Sequence, residues 1–341
     1  MTTYYVDPAA SGSNDGSSWT DAWTDFQSAA TNAVAGDTVY MRGSQTPSAA
    51  ITFANPGDLT SGLIKYIGVN SSGVNDGTRF ELDGGSTLSA VISQDGKNYL
   101  WFENIEVYGA TGYGWTGTAD NSHCVYINVC CNNNGGAGFN TDKVKKCVFI
   151  LCTAYSNSSR GFGASSGNNN SFFYCVARDN SLTGFAISSA EPILIGCISY
   201  NNAQRGIEGL GDYGIAYNCV IEANGDHSDE GGIESSFGGV SVRSIIGCRI
   251  TNHSTTGEFG IDANSTLLLH GWNYFEDNDT NITSATYAFE IKPNGISTDQ
   301  ADQADTNEGY VDNTAPGIDL NLASGSTMGP GDRTAIQLNW S

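Results

Sequence analysis

The sequence predicts an all-β chain wound into a single-stranded right-handed parallel β-helix, a solenoid of about 22-residue coils with a short capping helix at its N-terminus. Three observations predict it. The 341 residues include 43 glycines and are rich in Asn, Ser and Thr, a composition of short strands and many turns. A cysteine leads each of five successive segments, Cys152, Cys175, Cys197, Cys219 and Cys248, at spacings of 23, 22, 22 and 29 residues. Other positions keep step with it: Asn157, Asn180, Asn202 and Asn224 follow the first four leads by five residues, and Gly161-Phe162, Gly184-Phe185 and Gly206-Ile207 follow the first three leads by nine.

A unit this short cannot bury its own apolar side chains and must stack on its neighbours. Leucine-rich and helical repeats need a leucine scaffold or longer Ala/Leu-rich units, which are absent. Three short parallel strands per coil, paired with the next coil at about 4.8 Å, satisfy the backbone. Equivalent residues then lie one above another: Cys on Cys, Phe on Phe, and Asn at a bend bonding the next Asn. Val129, Asn134 and Gly138-Phe139 extend the pattern one coil earlier, and His253 takes the asparagine slot of the last coil.

In chain order, residues 1–40 form an N-terminal cap, because Trp23, Phe26, Ala30 and Val34 recur at helical spacing behind Thr20 and Asp21 as N-cap candidates and before Gly36. An open solenoid end invites edge pairing, and an amphipathic helix covers it. Residues 41–285 form the β-helix, with "LIKYIGVN" and "YLWFENIEVYG" among its early coils. Residues 286–341 turn polar and are expected as C-terminal loops and cap.

Fourteen basic residues against 36 acidic ones give a formal net charge of −22, which excludes nucleic acid and an anionic membrane surface as partners. No apolar run approaches the roughly 20 residues of a membrane span. The opening "MTTYYVDPAASGSNDG" lacks the basic and apolar regions of a signal peptide, so ordinary export is not expected. The nine cysteines, with Cys130 and Cys131 adjacent and no zinc-type spacing, are expected as reduced, buried thiols.

The stretch "YYVDPAASGSNDGSSWTDAWTDFQSAATNAVAGDTVYMRG" resembles the opening of pectate-lyase-like right-handed β-helix proteins, and "GYVDNTAPGIDLNLASGSTMGPGD" is similar to their closing segment in degraded form. With "DGTRFELDGG" and "LWFENIEVYGATG", the chain looks most like the β-helix proteins found among tailed-phage virion proteins. That fold carries lyases, hydrolases, epimerases, adhesins and virion proteins, so the resemblance implies architecture and leaves function to the site.

Gly206-Ile207-Glu208, Gly232-Ile233-Glu234 and Gly260-Ile261-Asp262 repeat one pattern in successive coils. If the isoleucines replace inward Phe139, Phe162 and Phe185, strand alternation turns the acids outward, with Asn140, Gly163 and Ala186 earlier in their column. Glu208, Glu234 and Asp262 are the candidate catalytic residues, at about 4.8 Å between neighbours and about 10 Å between the outer two. The insertion "NGDHSDEGG" adds Asp226, Asp229 and Glu230 as candidate calcium ligands, and Ca2+ is the one cofactor the residues suggest. Against catalysis, stacked acids also serve as a solvated face. The nearest bases, Arg205, Arg243 and Arg249, have no assigned place in the column, and no polygalacturonase-type Gly-His-Gly occurs. Tyr108, Tyr113 and Trp115 are candidate sugar-stacking aromatics, with packing on the barrel as the plainer role.

A chain that is nearly all solenoid, with neither a particle-binding domain nor an intertwined trimerisation region, is expected to be a structural virion protein of a tailed phage, a capsid decoration or cement subunit located in the virion. The alternative is a tailspike-like polysaccharide depolymerase, a glycosidase or lyase acting on host surface glycan. The corresponding partners are phage capsid or other virion proteins, a second copy in a homo-oligomer (dimer or trimer), and a polysaccharide.

Overall fold

The computed structural model describes residues 1–291 except 118, 141, 164–168, 188–190, 212, 226–229, 236–241, 255, 263–266 and 284–286. The chain winds a parallel β-solenoid of about nine turns, about 3% helical, with coils about 24 residues apart. The central repeat is shorter, since Phe139, Phe162, Phe185 and Ile207 stack in register. The longer coils between Ile207, Ile233 and Ile261 raise the mean above the sequence expectation.

Each coil contributes one strand to each of three faces. Face 1 starts with Thr3–Val6 on Thr38–Met41 and Ile64–Gly68, and continues through Val148–Ile150, Ser171–Phe173, Ile193–Ile195 and Ile215–Tyr217 to Tyr287–Ile291. Face 2 runs from Ser44–Gln45 and Phe80–Asp83 through Thr153–Tyr155, Val176–Arg178 and Val220–Glu222 to Tyr274–Glu276. Face 3 runs from Ile51–Thr52 and Ala90–Ser93 through Phe162–Gly163 and Ile207–Leu210 to Phe259–Asp262 and Thr280–Thr283.

The corners are left-handed single residues. Between faces 1 and 2 these are Asn128, Leu151, Tyr174 and Asn218, at φ of 50, 54, 54 and 54°, and Gly196 holds the same place at 64°. Between faces 2 and 3 they are Asn133, Ser156, Asp179, Asn201 and Ala223. Asn and Asp tolerate this conformation through local hydrogen bonds, whereas Leu, Tyr and Ala adopt it at a cost of about 1–2 kcal/mol. Stacked pairing on both sides holds them there.

Inside, the rings pile up as the repeat requires. Phe139, Phe162 and Phe185 stack at 4.8 and 4.9 Å with nearly parallel planes, and Tyr126, Phe149 and Phe172 form a second pile at 4.4 and 4.9 Å. The asparagines form a buried ladder: Nδ2 of Asn134, Asn157, Asn180 and Asn202 donates to Oδ1 of the next asparagine at 3.0, 3.0, 2.8 and 2.8 Å. Close stacking of coils explains the recurrent glycine: a Cβ on Gly184 would sit 2.2 Å from Ser199 Oγ, 2.8 Å from Gly206 O and 2.9 Å from Asn202 Nδ2, and one on Gly206 2.4 Å from Ile221 Cγ2 and 2.9 Å from both Gly232 O and Asn224 Nδ2. All nine cysteines are free and buried, and burial pushes thiols such as Cys131 and Cys175 up.

The N-terminal helix spans Phe26–Asn32, shorter than the spacing suggested. Its N-cap is Asp25, whose carboxylate accepts from Ser28 N at 2.7 Å, in place of Thr20 or Asp21. Trp23 instead bridges to Val6 ahead of the helix, and Val34 lies beyond it in an exposed turn. Capping geometry decided the start, since Asp25 has extended backbone and its carboxylate takes the N–H of Ser28 three residues on. Phe26 meets Phe53, Tyr66 and Phe80 edge-on, plugging the end of the barrel.

Candidate functional site

Face 3 places the three acids in one column. Ile207, Ile233 and Ile261 are fully buried inward residues, and the register pairs Ala186 with Glu208, Glu208 with Glu234, and Glu234 with Asp262. Asn140 and Gly163 precede Ala186 in the same column. Glu234 is the deeply placed member, at 5% exposure, while Glu208 and Asp262 are half-buried.

The column contains bases that the sequence left unplaced. Arg205 Nε stands 2.8 Å from Glu234 Oε2. Arg160 reaches across two coils to 3.8 Å from Glu208 Oε2, which also accepts from Thr183 Oγ1 at 2.9 Å. Arg160, Thr183 and Arg205 each stand immediately before the glycine of their repeat, three residues ahead of the column position. "RGFG" and "RGIEG" carried that signal, and sequence reasoning missed Arg160 because it examined bases near the acids in sequence instead of in the repeat. The other two arginines lie elsewhere. Arg243 is fully buried and donates from Nε to Leu210 O at 2.7 Å, and Arg249 pairs with Glu222 at 3.3 Å on face 2.

The electrostatics single out Glu234. Burial pushes its carboxyl above the usual range, the Arg205 guanidinium opposes that, and the like charges of Glu208 and Asp262 push it up further. A carboxyl pushed above its usual range, beside carboxylates one coil away, is an arrangement for acid–base work.

Of the candidate calcium ligands, Asp226 and Asp229 lie outside the described residues, as does His227. Glu230 is described, half-buried, with its backbone carbonyl accepting from Phe259 N at 3.2 Å. Among the described residues no group of three or more His, Cys, Asp or Glu side chains is placed to hold a metal ion. Trp115 is no sugar platform: it is 2% exposed, stacks in the inward column on Phe139 and donates from Nε1 to Gln94 Oε1 at 3.2 Å. The glycine-then-aromatic slot that names Phe139 also names Trp115, and burial of a large ring won over surface stacking. Tyr113, two residues earlier, is exposed.

The chain is similar to solved β-helix structures. It matches pectate lyase Pel9A with a TM-score of 0.62 and 18% identity, over 84% of this chain and 78% of that one. It matches a rhamnogalacturonan lyase with a TM-score of 0.47 and 16% identity, over 85% and 75% of the two chains. ORF18 of Geobacillus virus E2 matches with a TM-score of 0.47 and 12% identity, over 75% of this chain and 54% of that one. At these identities the likeness is one of fold: a right-handed, pectate-lyase-like parallel β-helix. No protein-family model and no curated protein sequence matches the chain. No helix among the described residues is long and apolar enough to cross a membrane.

Proposed function

We propose that the chain cleaves a polysaccharide at the acidic column of face 3, as a glycosidase with Glu234 as proton donor and Glu208 as nucleophile. The observation that carries this is Glu234, buried in register between two other carboxylates, with burial pushing its carboxyl above the usual range. Adjacent coils set the spacing at about 4.8 Å, near the roughly 5–5.5 Å between the two carboxyls of retaining glycosidases. Glu234 delivers its proton to the glycosidic oxygen as a Glu208 oxygen attacks the anomeric carbon and the carbon–oxygen bond breaks. Water, deprotonated by Glu234, then releases the sugar from Glu208. Thr183 and Arg160 orient Glu208, Arg205 positions Glu234, and Asp262 raises the proton affinity of Glu234. The net charge of −22 argues for a neutral polymer over a polyuronate. The fold shared with a pectate lyase supports an extended glycan as ligand, because a column of coils presents a site along its axis.

The test is release of reducing ends from neutral surface polysaccharides of candidate host bacteria, with Glu234→Gln and Glu208→Gln compared against wild type. Loss of release in both variants and retention of anomeric configuration by proton NMR are expected. Activity that survives Glu234→Gln, or no release from any polymer by the wild type, overturns the proposal.

A second reading, a capsid decoration or cement subunit of a tailed phage, is favoured by a different observation, the uncharged outward stripe that face 1 carries between Val125 and Ile246. Quantifying the protein in purified particles tests it: a copy number matching the capsid lattice supports it, and absence from the particle removes it.

A further inference from the structure

The outward side of face 1 is apolar over six coils, in a chain whose net charge is −22. From Val125 to Ile246, six strands contribute two outward positions each, and none of the twelve is charged. Ten are aliphatic or aromatic, and the other two are Ser171 and Ser244. Exposure is largest on its fifth strand and along its corner: Ile215 is 36% and Tyr217 42% exposed, and the corner residues Leu151 and Tyr174 are 54% and 58% exposed, while the outward residues of the other strands are half-buried. Towards the N-terminus the stripe ends at a charged coil, where Glu103 accepts from Trp101 Nε1 and Lys65 lies over the Trp101 ring.

We propose that this stripe is the surface through which two copies of the chain associate side by side. Three arguments point to a second copy as the occupant. Two chains of net charge −22 repel each other, and the twelve outward positions of this stripe hold no carboxylate to set against another. The stripe consists of rows of side chains repeating at about 4.8 Å along the axis, and a surface that meshes with such rows over six coils must have the same repeat. An identical solenoid has it. The size also suffices. Six coils of about 4.8 Å by a strand and corner of about 17 Å cover about 500 Å² in projection, so two copies remove roughly 1,000 Å² or more, which reaches the range of stable interfaces. Isologous pairing of one patch with itself is the commonest symmetric solution. The inference is independent of the catalytic proposal, since face 3 lies on another side of the coil.

Sedimentation equilibrium of the full chain tests it, with Ile195→Glu and Tyr217→Glu as variants. Both side chains point outward, so the core is untouched, and unreactive buried thiols confirm that each variant is folded. The wild type is expected to sediment as a dimer, at twice its monomer mass of 35.9 kDa. Each variant should weaken association at least tenfold by setting like charges opposite each other across the interface. A wild type that is monomeric at tens of micromolar would assign the stripe to a different chain and overturn the inference. Association that survives both substitutions would overturn it too.

Discussion

Replacing His253 by asparagine should remove a large acid sensitivity from the solenoid. His253 occupies the ladder slot of Asn224 one coil on and is fully buried. Its backbone N–H and its Nδ1 both contact Asn278 Oδ1, at 3.2 and 2.8 Å, which makes Nδ1 the protonated nitrogen of the neutral ring. Nε2 is buried without a hydrogen-bond partner among the described residues. Burial therefore lowers the pKa from 6.5 to about 4, against smaller upward pulls from Asn278 and Glu222. The folded value is depressed, so stability is intact above about 6.5 and is lost as pH falls through about 4. A gap of about 2.5 pKa units is worth about 3 kcal/mol between pH 7 and pH 4. An asparagine has no charge to acquire, and its Nδ2 can donate to Asn278 Oδ1 as the other rungs do; loss of the ring's packing costs about 1 kcal/mol at neutral pH. Urea unfolding of both proteins at pH 7 and pH 4 measures the double difference, in which all other titrating groups cancel. Parallel pH profiles for wild type and variant would refute the reasoning.

Other consequences are open to equally direct measurement. Asn180→Asp keeps the volume but turns the donor towards Asn202 Oδ1 into an acceptor, so it should destabilise by about 2–5 kcal/mol at neutral pH and regain part of this as the carboxyl protonates in acid; equal loss at all pH values would speak against the ladder. Ala223, exposed at φ 50°, should gain about 1 kcal/mol as Gly or Asn, read as a higher urea midpoint, and a lower midpoint for both would contradict the corner strain. None of the nine thiols should react with a disulfide reagent at pH 8 until the chain is unfolded; fast labelling of the native protein would show an open interior. Glu234, with a raised folded value, holds its stabilising proton below the ordinary carboxyl value of 4.5 and loses that contribution as pH rises through the folded value. Glu234→Gln should therefore flatten the stability profile above about 4.5, and an unchanged slope would show that Glu234 does not hold the proton.

The architecture was legible because a solenoid writes its geometry into the period. Cys152, Cys175 and Cys197 lead consecutive coils, and the stack from Phe139 to Ile207 is the same interval read three times. Glu208, Glu234 and Asp262 came together for that reason alone: in a parallel coil, equal phase means spatial adjacency. Phase also held the position of Arg160, yet a side chain that spans two coils to reach Glu208 obeys length and rotamer as well as register, so no count of residues pairs the two. The start of the capping helix escaped for a different reason, since several residues there can cap and the backbone angle at Asp25 chooses between them.

Period and alternation, both properties of the chain, determined the coil, its inward columns and the outward acids. Only the tertiary structure decided what those acids experience. Desolvation of Glu234, the guanidinium at its side and the buried ring of His253 depend on distances between coils and on excluded water, and electrostatic energy follows those quantities and not the order of residues. The uncharged stripe on face 1 belongs to the same category: its residues are scattered through more than 120 positions of sequence, from Val125 to Ile246, and become one surface when the coils stack.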